Sequence, residues 1–196
     1  MATTCTSSHP IVLLYLCYTL PDCYLQSWDK SATARSDAGK NIPGHKGNDQ
    51  LCYAMEDIFR GAELGLRSVL VADLGLLSMI QNAKEGGELP EHFVSKISVQ
   101  MGPPNAATAK VLENLCSELT LNPPTDLDLC QLGSIRSAVD APLDVYVEAP
   151  DNFGGYVRHF EVPAMVWALA PLYVKLGLRN RYTTASINHF LHSFHA

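Results

Sequence analysis

The sequence predicts an α/β fold built on parallel strands, and three observations predict it. Four short runs, KISVQM (96–101), ELTLN (118–122), LDVYVEAP (143–150) and LYVKLG (172–177), alternate apolar and polar residues with the period of two that a strand imposes. The segments between them are helix-like and long enough for parallel crossovers, which need about a dozen residues or more. The spacing is regular: 28 residues from Val69 to Ile97, 22 more to Leu119, 25 more to Asp144 and 28 more to Leu172.

The alternation gives each strand two faces. Ile97, Val99, Met101, Leu119, Leu121, Val145, Val147, Ala149, Leu172, Val174 and Leu176 form the apolar set. Ser98, Gln100, Thr120, Asn122, Asp144, Tyr146, Glu148, Tyr173 and Lys175 form the other. Parallel strands with an apolar face under helices and a polar inner face are the pattern of a (β/α) barrel with a site in its mouth. Five strands keep this beat, six with residues 11–16. A closed barrel has eight strands and typically about 250 residues. The expectation for 196 residues is therefore a partial (β/α) barrel of the TIM type.

Each element has a local reason. Residues 1–50 are expected to be a poorly structured leader or linker. Their apolar run IVLLYLCYTL (11–20) is shorter than the roughly 20 residues that span a bilayer. Residues 1–10 carry no Lys or Arg and so lack the basic start of a signal peptide. Residues 27–50 are rich in Ser, Ala, Gly, Asn and Asp without periodicity. The ordered domain is expected over 51–180. LCYAMEDIFRGAELG (51–65) reads as a helix with Met55, Ile58, Phe59 and Leu64 on one side and Gly65 at its stop. Residues 66–73 form a strand, and 74–84 a helix stopping at Gly86-Gly87. After strand 96–101, Asn105 is placed to cap the next helix. After strand 118–122, Thr125 is expected to cap a helix, with Asp128 three residues on. The double prolines at 103–104 and 123–124 punctuate the two units alike. Strand 143–150 runs into PDNFGG, then a helix near 161–170 with Pro163 in its first turn. Strand 172–177 closes the series, and residues 181–196 are expected to be an irregular tail.

Net charge is −6 and no Lys/Arg cluster occurs, which argues against a nucleic-acid partner. No run is long enough to predict a membrane span. The six cysteines are irregularly spaced with no C-x-x-C pair. Buried free thiols in the reducing cytoplasm are expected rather than a zinc site.

Sites of such folds lie at the C-terminal ends of the strands. Asp73, Gln100, Asn122, Glu148 and Lys175 occupy those positions. One alternative is that they are hydrogen-bonded filling of the interior. The other is a functional mouth, since burying charge without a partner is costly. Glu148 and Lys175, on strands consecutive in sequence, form the sharpest pair. They read either as an ion pair or as a nucleophilic amine with a proton shuttle. The loop Pro150-Asp151-Asn152-Phe153-Gly154-Gly155 is the candidate lid, with Asp151 and Asn152 binding substrate. Arg158 and Arg179 are candidates to clamp an anion. His189, His192 and His195 drift round a helix at three-residue spacing and make a poor metal set. No nucleophile elbow, Walker loop, H-E-x-x-H or dinucleotide fingerprint occurs.

The run NPPTDLDLCQLGSIRSAVDAPLDVYVEAPDNFGGYVRHFEVPAMVWALAPLYVKLGLRN (122–180) resembles the U32 peptidase-like family, and EDIFRGAELGLRSVLVADLGLL (56–77) is similar to it too. The resemblance covers roughly 51–180 and implies an α/β barrel, often of peptidases, in some members with iron–sulfur clusters. EAPDNFGGYVRHFE lacks the family's cysteine-bearing signature, so no iron–sulfur cluster is expected. The resemblance implies a hydrolase acting on a small molecule or peptide, by a partial or truncated family member. From strand parity, Glu148 is the general base or a carboxylate facing a divalent metal, and Asp73 assists it. Gln100, Asn122, Asp151, Asn152 and Arg179 hold substrate, and Lys175 stabilises negative charge. The alternatives are a Schiff-base lyase or aldolase using Lys175, and a non-catalytic barrel fragment. An incomplete barrel has an open edge through which copies would self-associate.

Overall fold

In the computed structural model, residues 12–16, 23–25, 44–149 and 155–176 are described. Seven strands are present among them: β1 (Val12–Leu16), β2 (Cys23–Leu25), β3 (Ser68–Val71), β4 (Val94–Ile97), β5 (Leu119–Thr120), β6 (Leu143–Glu148) and β7 (Leu172–Leu176). Five α-helices alternate with them: α1 (Gly47–Glu63), α2 (Leu74–Glu85), α3 (Ala106–Leu115), α4 (Leu129–Arg136) and α5 (Val162–Leu169).

Every strand pairing is parallel, in the orders β1-β7-β6 and β2-β3-β4-β5. A parallel bridge between Leu121 and Leu143 joins β5 to β6. Asp144 N–H donates to the Leu121 carbonyl there at 2.7 Å. The strands thus run β2-β3-β4-β5-β6-β7-β1 in one arc, open between β1 and β2 among the described residues. Two of these strands lie within 1–50, the stretch expected to be a leader, and α1 begins at Gly47 rather than after 50. Strand β2 carried no alternation long enough to announce it.

The arc is curved. Adjacent strands lie about 4.8 Å apart, so on a flat sheet β4 and β7 would stand three spacings, about 14 Å, from each other. Yet Lys96 Nζ on β4 lies 5.4 Å from the centre of the Tyr173 ring on β7. The two side chains lean into a shared interior, as in the wall of a barrel. On the opposite face Ile97, Leu119, Val145 and Val174 are buried in a core with Leu76, Ile80, Leu112, Leu132 and Met165 of α2 to α5. The faces follow the alternation that the sequence predicts.

Helix ends follow local chemistry. Asn105 caps α3, accepting from Thr108 N–H at 2.9 Å. The cap of α4 is Asp128, not Thr125. Its carboxylate accepts from Gln131 N–H at 2.8 Å, and the Gln131 amide oxygen accepts from Asp128 N–H at 2.9 Å. This closed capping box satisfies two orphan groups and sets the start three residues later than expected. Gly65, at φ +99°, turns the chain out of α1 in a backbone region that costs other residues strain. Pro163 sits in the first turn of α5, as expected.

Strand β4 begins and ends earlier than the run 96–101. Ser98 Oγ accepts from Gln100 N–H at 3.3 Å, and Met101 N–H donates to the Ser98 carbonyl at 2.9 Å. That turn diverts Val99–Met101 into a 3₁₀ helix and takes Gln100 off the sheet. Cys52, Cys116 and Cys130 are free thiols, as expected, although Cys52 and Cys130 are exposed while Cys116 is buried. No helix among the described residues is long and apolar enough to cross a membrane.

Glu113 fastens α3 to the approach to β6. Its carboxylate accepts from the backbone N–H of Asp140 at 2.6 Å and of Ala141 at 2.8 Å, and meets Lys110 Nζ at 2.7 Å. Burial works against its ionisation, but these three donors outweigh burial and hold the carboxyl below the free value of 4.5. Glu113→Gln is expected to cost about 1–2 kcal/mol at neutral pH, read from urea midpoints. Because the folded value is depressed, the wild-type advantage is full above the free-carboxylate value and fades as pH falls through the folded one.

Candidate active site

The inner face of the arc carries a buried ionic cluster. Asp144 is 0% exposed, Lys175 3% and Lys96 4%. Lys175 Nζ lies 2.9 Å from Asp144 Oδ2, and Lys96 Nζ lies 3.7 Å from the same oxygen. The pairing registers place them. Lys96 is opposite Thr120, Asp144 opposite Tyr173, and Tyr146 opposite Lys175. These residues share the inward parity, so three strands deliver two ammonium groups to one carboxylate.

Asn122 completes the cluster from the segment after β5. With its amide oriented so that both ends meet complementary groups, its nitrogen donates to the Asp144 carbonyl at 2.8 Å. Its oxygen accepts from Lys175 Nζ at 2.9 Å. The Tyr146 ring stands 5.0 Å from Lys175 Nζ, within cation–π range, as the Tyr173 ring does for Lys96. Among the described residues, Asp144 Oδ1 and Oδ2 and Thr120 Oγ1 are buried without a hydrogen-bond partner, Oδ2 having the two lysine ion-pair contacts and Oδ1 none. A buried orphan acceptor is costly, so this carboxylate retains capacity for a further donor. Both lysines lie one residue from the C-terminal end of their strands. That is the end where such folds do chemistry.

Glu148 lies elsewhere. Strand β6 carries one extra residue between the Tyr146–Lys175 and Glu148–Leu176 pairs. This bulge turns the strand and breaks the alternation. Glu148 therefore leaves the parity of Lys175 and meets His159 Nε2 at 3.5 Å on the partly exposed rim. The strap 156–158 holds it there: Val157 bridges Glu148, and Arg158 N–H donates to the Val147 carbonyl at 2.7 Å. The Arg158 guanidinium is itself a strut, donating to the Tyr146 carbonyl at 3.3 Å and the Leu127 carbonyl at 2.9 Å.

Asp73 is occupied by the backbone. Its side chain caps α2 by accepting from Leu76 N–H at 2.8 Å and also accepts from His45 N–H at 2.7 Å. Gln100 is exposed on the 3₁₀ turn. Of the residues proposed from sequence, Asn122 and Lys175 come together, while Glu148, Asp73 and Gln100 each stand apart from them. Asp151, Asn152, Arg179, His189, His192 and His195 lie outside the described residues. Among the described residues no three His, Cys, Asp or Glu side chains gather as metal ligands.

Sequence reasoning passed over two members of the cluster. Asp144 stood on the polar parity but gave way to Glu148, nearer the strand end. Lys96 opens the run KISVQM on the same parity as Ser98, and that parity was the signal that would have found it.

No family model matches the chain, and no curated protein matches it. Among solved structures, the chain is similar to the U32 peptidase Mk0906, at 15% identity and a TM-score of 0.45, over 80% of this chain and 69% of that one. It is also similar to the YdjI aldolase from Escherichia coli K12, at 14% identity and a TM-score of 0.43, over 63% of this chain and 48% of that one. The chain thus spans about half the length of that aldolase.

Three substitutions test the geometry. Asp144→Ala leaves two buried ammonium groups facing each other and is expected to cost about 3–5 kcal/mol in urea unfolding. Lys175→Met leaves Lys96 to pair with Asp144 and is expected to cost clearly less. Gly102 lies against Asn122: a Cβ there would fall 2.0 Å from the Asn122 carbonyl oxygen. Gly102→Ala is therefore expected to displace Asn122 and destabilise the fold by about 1–3 kcal/mol, as overpacking does.

Proposed function

We propose that the interior of the arc is a carbonyl-binding site at which Lys175 forms a Schiff base, giving the chain the chemistry of a lyase or aldolase. The placement of Lys175 carries the proposal. Its amine is buried near the C-terminal end of a parallel strand, in contact with a carboxylate and an amide oxygen. A lysine nucleophile requires a neighbouring group to take its proton and an orientation fixed by its surroundings. Asp144 supports the first need and Asn122 the second. In the proposed step the ammonium gives a proton to Asp144, and the free amine attacks the carbonyl carbon. The oxygen of the resulting carbinolamine collects protons and departs as water, leaving an iminium on Nζ. The iminium then withdraws electrons from the adjacent carbon–carbon bond.

The test is reductive trapping. With small aldehydes and ketones and sodium borohydride, peptide mapping is expected to find a stable adduct on Lys175. The adduct is expected to vanish in Lys175→Met and to form about 10²–10⁴-fold more slowly in Asp144→Asn, the range of one general acid–base group. Labelling confined to exposed lysines such as Lys110 would remove the proposal.

A hydrolase centred on Glu148 is the second reading, and the Glu148–His159 couple at 3.5 Å favours it. A carboxylate beside an imidazole on an accessible rim is able to draw a proton from water. Asp73 takes no part, since its oxygens serve the α2 cap and the His45 backbone. Peptide hydrolysis lost in Glu148→Gln and retained in Lys175→Met would select this reading.

A further inference from the structure

The outer side of α5 departs from the pattern that the other helices keep. Exposed positions on α1 to α4 include Glu56 and Arg60, Glu85, Lys110 and Gln131. Helix α5, VPAMVWAL, has no polar side chain on any side. Met165 and Leu169 are buried in the core, while Pro163, Ala164, Trp167 and Ala168 are exposed. Trp167 is 88% exposed, and Phe160 of the 3₁₀ turn that leads into the helix is 81% exposed. A helix that is apolar all round is ordinarily covered all round. Large apolar side chains grouped on a surface mark a place of contact.

We infer that residues 187–194 of this chain form a helix that packs on the exposed side of α5, independently of any chemistry at Lys175. In INHFLHSF, Ile187, Phe190, Leu191 and Phe194 recur at i, i+3, i+4 and i+7, which gathers them in one apolar stripe on a helix. Asn188, His189, His192 and Ser193 fall on the other side. Histidine spacing that suits a metal poorly thus suits the water-facing side of a docked helix. A helix this short is marginal in water by itself and needs its stripe covered. Such a helix would take the place of the irregular tail expected over 181–196. Topology supports the same partner. In a parallel series each strand is followed by an outer helix, and right-handed crossovers carry those helices round in chain order. The segment that follows β7 is therefore due beside α5. Residues 177–186 link the two, and ten residues reach up to about 35 Å when extended. Residues 1–11, 17–22, 26–43 and 150–154, the other stretches outside the described residues, carry no such stripe.

Hydrogen exchange on the full chain, read by mass spectrometry, tests the contact. The amides of 188–195 are expected to exchange at least about tenfold more slowly than in the free peptide, the effect of burying one large apolar side chain. In Trp167→Ala that protection is expected to fall to the peptide's rate, while the amides of β6 and β7 keep theirs. Trp167 projects from the described surface, so its removal spares the core. Peptide-like exchange in the intact chain would overturn the inference, and so would protection that survives both Trp167→Ala and Phe160→Ala. Protection that disappears on dilution, with a dimer seen by sedimentation, would assign the face to a second copy and equally overturn it. Should Trp167→Ala fail to fold, acrylamide quenching of Trp167 in Trp28→Phe decides. Quenching as free as that of N-acetyl-tryptophanamide would overturn the contact, and shielding that is lost on adding Leu191→Asp is the result expected.

Discussion

The Asp144 carboxylate, out of water and held by the ammonium groups of Lys175 and Lys96, is the constraint around which the interior is organised. It draws β4, β6 and β7 toward one point, and that convergence requires the sheet to curl. The alternation that buries Val145 and Val174 against the helices turns Asp144, Tyr146 and Lys175 the other way. The hydrophobic core and the polar interior are two faces of the same strands, and moving either by one residue would exchange them.

Such a cluster contributes little net stability, because desolvating three charges offsets much of their attraction. A fold that needed only filling here would be served as well by apolar side chains. In the proposed Schiff-base chemistry, the ionic contact, the amide orientation and the unused carboxylate oxygen would serve an amine nucleophile as proton acceptor and fixed direction. The aromatic rings of Tyr146 and Tyr173 beside the two lysines offer cations a face without competing as bases.

Around this centre, other polar groups are committed to holding the backbone. Asp73 satisfies amide groups at the start of α2 and at His45. Arg158 ties the strap beyond β6 to the carbonyls of Tyr146 and Leu127. Glu113 closes the junction between α3 and the start of β6. These residues explain how loops at the strand ends are kept in place, and why a polar residue at a strand end is not by itself a member of the site.

Local periodicity was enough to read the parallel α/β class, the inner and outer faces of β5, β6 and β7, the Asn105 cap and the inward placement of Asn122 and Lys175. These depend on side-chain alternation and short-range hydrogen bonding, which a run of a few residues specifies. Contacts between distant segments decided the rest. The bulge that removes Glu148 from Lys175 exists only in the pairing of β6 with β7, and no pattern within LDVYVEAP announces it. The partnership of Lys96 with Asp144 spans residues separated by nearly fifty positions and requires the curl of the sheet. Strands β1 and β2 acquire their places beside β7 and β3 from backbone pairing across the whole chain. Alternation states which way a side chain faces; only the assembled sheet states what it meets.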